Sequence, residues 1–281
     1  MSQLDAVWFI TGCSTGFGRE LARLVLKKGY RAVVTARNLQ KISDLVKDYE
    51  GQALPLKLDV TDPVQVEEAV KKAEKTFGRI DILVNNAGIG YFAAVEESEE
   101  DEVRRMFEIN LFGLSKMIHG VLPGMRQRRS GHIINISSIA GLRGFPAMGY
   151  YCASKFAVEG LTEALWREVS PLGVKVTLIE PGPFRTDWAG RSANESSREI
   201  SDYAETAGAN RHRLRRESGH QPGDPARAAE AIIKAIEDPN PPLRLVLGKI
   251  ALNGARDKLE MLRHDFDVWE ETTIGADFPE K

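Results

Sequence analysis

Short apolar runs alternate along this chain with longer stretches in which apolar residues recur every three or four positions. The first pattern reads as buried strand and the second as amphipathic helix. Strands are expected at Val7 to Ile10, Arg31 to Thr35, Leu54 to Leu58, Ile80 to Val84, Ile133 to Ile136, Val174 to Ile179 and Leu243 to Leu247. Helices are expected over Arg19 to Lys28, Leu39 to Tyr49, about Val103 to Arg129, about Tyr150 to Val169 and about Ala226 to Ile236. A further helix opens at Asp62-Pro63, where proline suits a first-turn position. Strands alternating with helices imply a parallel sheet, wound right-handed and covered on both faces. Ligands then belong at the carboxyl ends of the strands.

Two segments depart from the alternation. Residues 185–224 are polar and poor in aliphatic side chains, and a long irregular segment at the ligand edge reads as a lid or a disordered loop. Its run Arg211-His-Arg-Leu-Arg-Arg216 reads as a solvated helix face, with attraction of an acidic substrate as the sharper alternative. After Gly248, the residues Ala255, Leu259, Leu262, Phe266 and Trp269 repeat at spacings of three and four, as on one helix face. That face is expected to pack onto its own domain; covering the active site or a partner subunit is the alternative. The organisation expected is one α/β domain over residues 1–250 and a C-terminal helical extension over 251–281.

Composition narrows the function classes. The chain has 281 residues, 42% hydrophobic and 28% charged, as in an ordinary soluble globular protein. A net charge of −2 argues against general affinity for nucleic acid or acidic membranes. The apolar run Ala6 to Ile10 is too short for a signal peptide or membrane span. Two cysteines, Cys13 and Cys152, suit a reducing compartment, so a cytoplasmic protein is expected. Both lie beside motifs described below, where small-residue packing explains them better than reactive thiols. Neither they nor the five histidines stand at metal-ligand spacing, and no metal site is expected.

The first strand runs straight into Thr11-Gly-Cys-Ser-Thr-Gly-Phe-Gly18 and then a helix, the setting in which glycines bind a dinucleotide. Gly12 permits a tight turn, while Gly16 and Gly18 let backbone and helix approach a pyrophosphate closely. The intervening Ser14, Thr15 and Phe17 share that turn, and free N–H groups at the helix start bind phosphate. A P-loop is excluded, because Arg19 rather than Gly-Lys follows the turn.

The fifth strand leads through Ser138 and a glycine-containing loop to a helix bearing Tyr151 and Lys155. Four residues apart, these two share one helix face. A phenol with a pKa of about 10 is a poor acid or base at neutral pH, and an ammonium one turn away is expected to lower it. Ser138 can hold a carbonyl or alcohol oxygen against the tyrosine. The trio is equipment for interconverting a ketone and an alcohol by proton transfer, with hydride from elsewhere. A non-catalytic dinucleotide-binding redox sensor is the competing reading, but a sensor needs no such set. Tyr-x-x-x-Lys alone is weak, since roughly one chain in three of this length carries it by chance.

Taken together, Thr11-Gly-x-x-x-Gly-x-Gly18, Asp59-Val60, Asn85-Asn-Ala-Gly88, Asn110, Ser138, Tyr151-x-x-x-Lys155 and Pro181-Gly182 with Thr186 resemble the short-chain dehydrogenase/reductase family over roughly residues 6 to 250. The wording of the glycine turn is similar to the branch near hydroxysteroid and retinol dehydrogenases. The resemblance implies a doubly wound Rossmann fold with a seven-stranded parallel sheet. It makes Tyr151 the acid or base, Ser138 the carbonyl partner and Lys155 the holder of the nicotinamide ribose. Asn110 would anchor a water of a proton relay, although a helix asparagine equally serves as a structural hydrogen-bonder. Asp59 and Val60 would flank the adenine, Asn86, Ala87 and Gly88 would line the cofactor channel, and Pro181, Gly182, Phe184 and Thr186 would hold the carboxamide. Family members are commonly homodimers or homotetramers, often through the two long helices.

The second strand ends in Thr35-Ala-Arg-Asn38 without the carboxylate that binds the ribose 2′-hydroxyl of NAD. Arg37 can pair with a 2′-phosphate, so NADP(H) is favoured, with NAD(H) as the alternative. Tyr91, Phe92, Phe145, Met148 and Trp188 follow the fourth to sixth strands as candidate pocket residues. They point to a small apolar carbonyl or secondary alcohol, of hydroxysteroid, retinoid or ketone type.

Overall fold

A computed structural model of the protein describes residues 5–278. Among these, the strands are β1 (Val7–Ile10), β2 (Arg31–Ala36), β3 (Ala53–Lys57), β4 (Ile82–Asn85), β5 (Gly90–Phe92), β6 (Gly131–Ile136), β7 (Val174–Pro181), β8 (Ala193–Glu195) and β9 (Arg244–Leu247). Seven form one parallel sheet in the order β3-β2-β1-β4-β6-β7-β9, while β5 and β8 pair in parallel apart from it. The order reverses beside β1, between the β2 and β4 sides, and the glycine turn leaves the sheet at that switch point.

Alternate residues of each strand feed two cores. Trp8, Ile10 and Val34 face one side, against Leu21 and Val25 of α1 (Gly16–Lys27). There Leu45 of the short α2 (Ser43–Val46) and Ile232 of α8 (Pro225–Glu237) complete the packing. Phe9, Val33 and Leu83 face the other side, where α3 (Pro63–Phe77) contributes Val66 and Val70. With both faces covered, the strands are almost wholly apolar rather than alternating with polar residues.

Helix starts follow local chemistry. The Asp62 carboxylate accepts hydrogen bonds from the N–H groups of Val64 and Gln65, with Pro63 in the first turn of α3. The expected helix over Leu39 to Tyr49 is instead a 3-10 turn, Leu39–Lys41, followed by the single turn of α2. Ile42 separates the two with non-helical backbone, φ −124° and ψ 0°, and it and Leu45 are both buried. The first long helix starts early, as α4 (Glu100–Phe107), and widens into a π-helical turn, Glu108–Gly113, before α5 (Leu114–Arg128). The second is α6 (Gly149–Val169).

The polar segment 185–224 is ordered rather than irregular. It forms β8, a π-helical turn and α7 (Ala209–Arg216), after which α8 (Pro225–Glu237) rejoins the main layer. Its basic run is a solvated face only in part: Arg213 and Arg216 are exposed, whereas Arg211 and Arg215 are tied into the fold. Arg211 is buried against Glu199, and Arg215 donates to the carbonyls of Ala189, Gly190 and Ala193. The chain ends in α9 (Lys249–Val268) and α10 (Glu270–Ile274). The apolar face expected to pack onto the domain does so only at its start. Ala251 is buried, but Leu259, Phe266 and Trp269 stand in solvent, because the helix runs on past the body. No helix among the described residues is long and apolar enough to cross a membrane.

The switch point is locked by Thr11. Its hydroxyl accepts from the N–H groups of Asn86 and Ala87 at 2.9 and 3.0 Å and donates to the Val84 carbonyl. Asn86 Nδ2 returns bonds to the carbonyls of Thr11 and Gly12. Replacing Thr11 with valine keeps the shape but leaves the Ala87 N–H unpaired and the Asn86 N–H with only its bond to the Val84 carbonyl, which costs about 1–2 kcal/mol. Denaturant unfolding of Thr11→Val checks this; a stability equal to wild type would show the clamp to be idle.

Candidate active site

A single cavity of about 880 Å³ opens at the carboxyl ends of the strands. The glycine turn supplies one wall through Gly12, Ser14, Thr15, Gly16 and Phe17. Gly12 and Gly16 have φ of +71° and +59°, and a side chain on Gly12 would strike the Ala87 backbone at 2.9 Å. Gly18 lies behind this wall rather than in it: a Cβ there would sit 2.3 Å from Asn86 Nδ2, so its role in the fold is close packing. Thr15 caps α1 without a side-chain bond, and the first turn of α1 carries no acidic residue. The helix therefore presents uncapped N–H groups and positive dipole to the cavity, which fits an anionic pyrophosphate.

Arg37 lines the cavity at the end of β2 and makes no ion pair among the described residues. Asp59 and Val60 line it after β3, and the Asp59 carboxylate accepts from the backbone N–H and hydroxyl of Thr61. Asn86, Ala87 and Gly88 follow β4; Pro181, Gly182, Phe184 and Thr186 follow β7. Asn110 stands behind the wall at 1% exposure, in the π-helical turn. Its Oδ1 accepts from Ile89 N–H, and its Nδ2 donates to the Ile89 carbonyl and to Ser154 Oγ. These bonds tie the loop after β4 to α6.

Ser138, Tyr151 and Lys155 meet on the opposite wall. Ser138 leaves β6 and caps a 3-10 turn by accepting from Ala140 N–H. The helix α6 is registered on the sheet by a buried polar chain: Asn85 donates to Asn135, Asn135 to Thr162, and Thr162 to the Val158 carbonyl. Lys155 Nζ donates to the Ile136 carbonyl at 2.8 Å. Trp188 covers Tyr151, ring centroids 4.8 Å apart.

The electrostatics correct one expectation. The lysine does not draw the tyrosine pKa down in the protein alone: burial pushes the Tyr151 phenol well above its ordinary 10.0, and the Ser138 hydroxyl only partly offsets this. Removing the phenolate from water outweighs an ammonium that sits 5.9 Å from the ring centroid and is bonded to a carbonyl. Burial likewise lowers Lys155 to about 8, opposed by the charge of Glu159. Cys13 is pushed up to about 12 by burial, and burial raises Cys152 too, so both thiols are inert packing groups.

Of the aromatic candidates, Phe145, Met148 and Trp188 line the cavity. Phe92 does not: β5 turns it inward to 0% exposure, beneath Trp188. Tyr91 is also buried, its hydroxyl accepting from Glu99 N–H. Sequence reasoning missed Asn210 of α7 and Ile250 and Gly254 of α9 as cavity residues, while Arg213 and Leu214, also in the lining, belong to the basic run singled out above. It also missed a buried acidic pair behind Lys155. Glu159, one turn further along α6, and Glu180, at the end of β7, share the Arg244 guanidinium, which reaches Glu180 at 3.0 Å. Glu180 follows the apolar pair Leu178-Ile179 at the buried end of β7, the one signal that could have revealed it.

A family model described as short chain dehydrogenase matches residues 6–197. The chain is 38% identical to Oxidoreductase BOA17 of Botryotinia fuckeliana over 97% of its own length and 100% of that relative. It is 39% identical to the 3-ketodihydrosphingosine reductase of Bacteroides thetaiotaomicron over 86% of this chain and 87% of the relative. Among solved structures, a short-chain dehydrogenase from Streptomyces avermitilis matches with a TM-score of 0.92 and 40% identity, covering 99% of this chain and 100% of that one. A short chain dehydrogenase/reductase from Burkholderia phymatum in complex with NAD matches at 0.81 and 26%, covering 96% and 97%. ElxO with NADP bound matches at 0.73 and 29%, covering 88% and 99%.

Burial, and then the neighbouring charge of Glu159, raise Glu180 from 4.5 to about 7. The native state thus holds this proton more tightly than the unfolded chain does. The stability so gained is full below pH 4.5 and is lost as pH rises through 7. Unfolding across that range checks it: wild type should lose stability relative to Glu180→Gln, whereas parallel pH profiles would refute the buried proton.

Proposed function

Because the chain belongs to the short chain dehydrogenase family, whose members act on CH–OH groups with NAD(P), we propose that it reduces an apolar ketone or aldehyde with NADPH, and runs the reverse oxidation. The observation that carries this reading is the convergence of Ser138, Tyr151 and Lys155 on the wall of the cavity that also holds the glycine turn and Arg37. When bound, the cofactor supplies the hydride for the carbonyl carbon. Ser138 orients the carbonyl oxygen, and Tyr151, kept protonated by burial, gives that oxygen its proton. Lys155, held on the Ile136 carbonyl, is placed to bind ribose hydroxyls and to help return a proton to the phenol. Asn110 is assigned to fixing the Ile89 loop and α6 on which that relay depends.

Support for NADP(H) over NAD(H) comes from Arg37 and the lack of a carboxylate in Ala36-Arg-Asn38. Among relatives and neighbours both cofactors occur, so this preference rests on the chain's own residues. Phe145, Met148, Trp188, Leu214 and Ile250 make the substrate end chiefly apolar, while Asn210 and Arg213 offer polar contacts at the lid.

NADPH consumption against a panel of ketones and aldehydes tests the reading. Tyr151→Phe should retain cofactor binding and lose roughly a thousandfold in kcat. Arg37→Ala should raise KM for NADPH roughly tenfold or more, a charge-assisted bond lost, and leave NADH unaffected. Full activity in Tyr151→Phe, or equal effects of Arg37→Ala on both cofactors, would contradict it.

A further inference from the structure

Behind Lys155 lies a group of buried oxygens that the reaction outlined above does not use. Glu159 follows Lys155 by one turn of α6, so the two side chains share a helix face, and both are buried. Glu180, fully buried at the end of β7, comes up beside Glu159, and Ser137, in the cavity wall, comes from the other side. Gly141 leaves room for this approach: a Cβ there would lie 2.7 Å from Ser137 Oγ and 2.9 Å from Glu159 Cγ. Three oxygens of the group, Ser137 Oγ, Glu159 Oε1 and Glu180 Oε2, are buried without a well-directed hydrogen bond among the described residues. Their side chains are within reach of one another, for the Ser137 hydroxyl and the Glu180 carboxyl both act on Glu159. Buried polar atoms are seldom left unpaired, so the hydrogens this group needs belong to its own members.

One proton on the carboxyl pair satisfies the set. Two ionised carboxylates would turn bare oxygens on each other, whereas a protonated Glu180 donates to Glu159. Glu159 is the better seat for the charge. It has the Arg244 guanidinium, the Ser137 hydroxyl and the Lys155 ammonium around it, while Glu180 meets Arg244 and the acidic Glu159. The charges then balance. With Glu180 neutral, the cations Lys155 and Arg244 match the carboxylates of Glu159 and Glu163, the last bound to Arg244 from the outer side. Arg143, on the loop after β6, pairs instead with Asp257 of α9.

We propose that Glu159 is a positioning residue of the active site: its one negative charge, kept single by a proton on Glu180, holds Lys155 as an ammonium at the cavity wall. The proposal rests on the role given to Lys155 under the proposed function. An amine in its place would bind ribose hydroxyls less firmly and have no proton to return to the phenol. Burial works against the ammonium and lowers Lys155 to about 8, and the Glu159 charge opposes that fall. Removing the charge therefore moves the loss of the ammonium to lower pH.

The pH dependence of the full-length protein tests this through two readouts, followed from about pH 6 to 10. One is NADPH affinity by fluorescence, and the other is kcat/KM for a carbonyl compound that the wild type reduces. Glu159→Gln keeps the shape and removes the charge. It should match wild type near pH 6 and begin its alkaline loss about one pH unit earlier, so that kcat/KM near pH 9 is roughly tenfold lower. Glu163→Gln, which loosens the same guanidinium from outside, should leave the alkaline limb in place. Circular dichroism confirms that each variant is folded. An unmoved limb in Glu159→Gln, or a loss equal at every pH, would overturn the proposal. A wild type that binds NADPH but reduces no carbonyl compound would refute the proposed function, while the affinity limb still decides the role of Glu159. Carboxyl-13C glutamate in the wild type gives a reading that needs neither ligand nor a folded Glu159→Gln. One signal, missing from Glu180→Gln, should titrate at about pH 7, and its absence would also overturn the proposal.

Discussion

The chemistry proposed for this protein hangs on keeping a tyrosine and a lysine out of water at the end of a strand. Neither group tolerates this by itself, and the surrounding structure is arranged so that both do. Lys155 is anchored on the Ile136 carbonyl, and Glu159, one turn on, supplies a compensating charge. Glu159 is in turn held by Arg244, which also binds Glu180 and Glu163, so a single guanidinium on β9 bridges three carboxyl groups. Breaking such a buried set by removing one partner costs several kcal/mol, which makes β9 part of the active-site support although it lies at the sheet edge.

The cofactor wall depends on a second clamp of the same kind. Thr11 and Asn86 exchange hydrogen bonds between the turns after β1 and β4, and this fixes the glycines against the loop that Asn110 holds from behind. The lid closes the remaining side. There Arg215 gathers three carbonyls of the segment before β8, and its guanidinium lies 5.0 Å from the Phe92 ring centroid. Phe92 in turn supports Trp188, which covers Tyr151. Arg215 thus holds the roof of the pocket in place from behind.

The sheet, the glycine turn and the Ser138–Tyr151–Lys155 set were legible in the sequence because each is written locally. Apolar runs mark strands, glycines mark a turn, and a four-residue spacing marks one helix face. Other features depend on what the fold brings alongside. Glu159, Glu180 and Arg244 come from three elements and meet only once β7 lies between β6 and β9. Nothing in the pattern around Phe92 says that β5 turns it inward. The apolar stripe on α9 was visible as a periodicity, but a periodicity does not tell whether a domain lies beneath it, and Leu259, Phe266 and Trp269 stand in solvent. The tyrosine pKa was misjudged for a related reason: helix spacing gives the distance to the lysine, while desolvation, the larger effect, depends on the whole pocket.

The account rests on Tyr151 being a protonated acid in the resting protein, which a titration can observe directly. Phenolate absorbance at 295 nm would be followed from pH 6 to 11 for the cofactor-free wild type and for Tyr151→Phe. The account predicts coincident curves up to and beyond pH 10, because burial holds this phenol un-ionised. One tyrosine's worth of extra phenolate in the wild type near neutral pH would contradict it and return the lysine to the governing role.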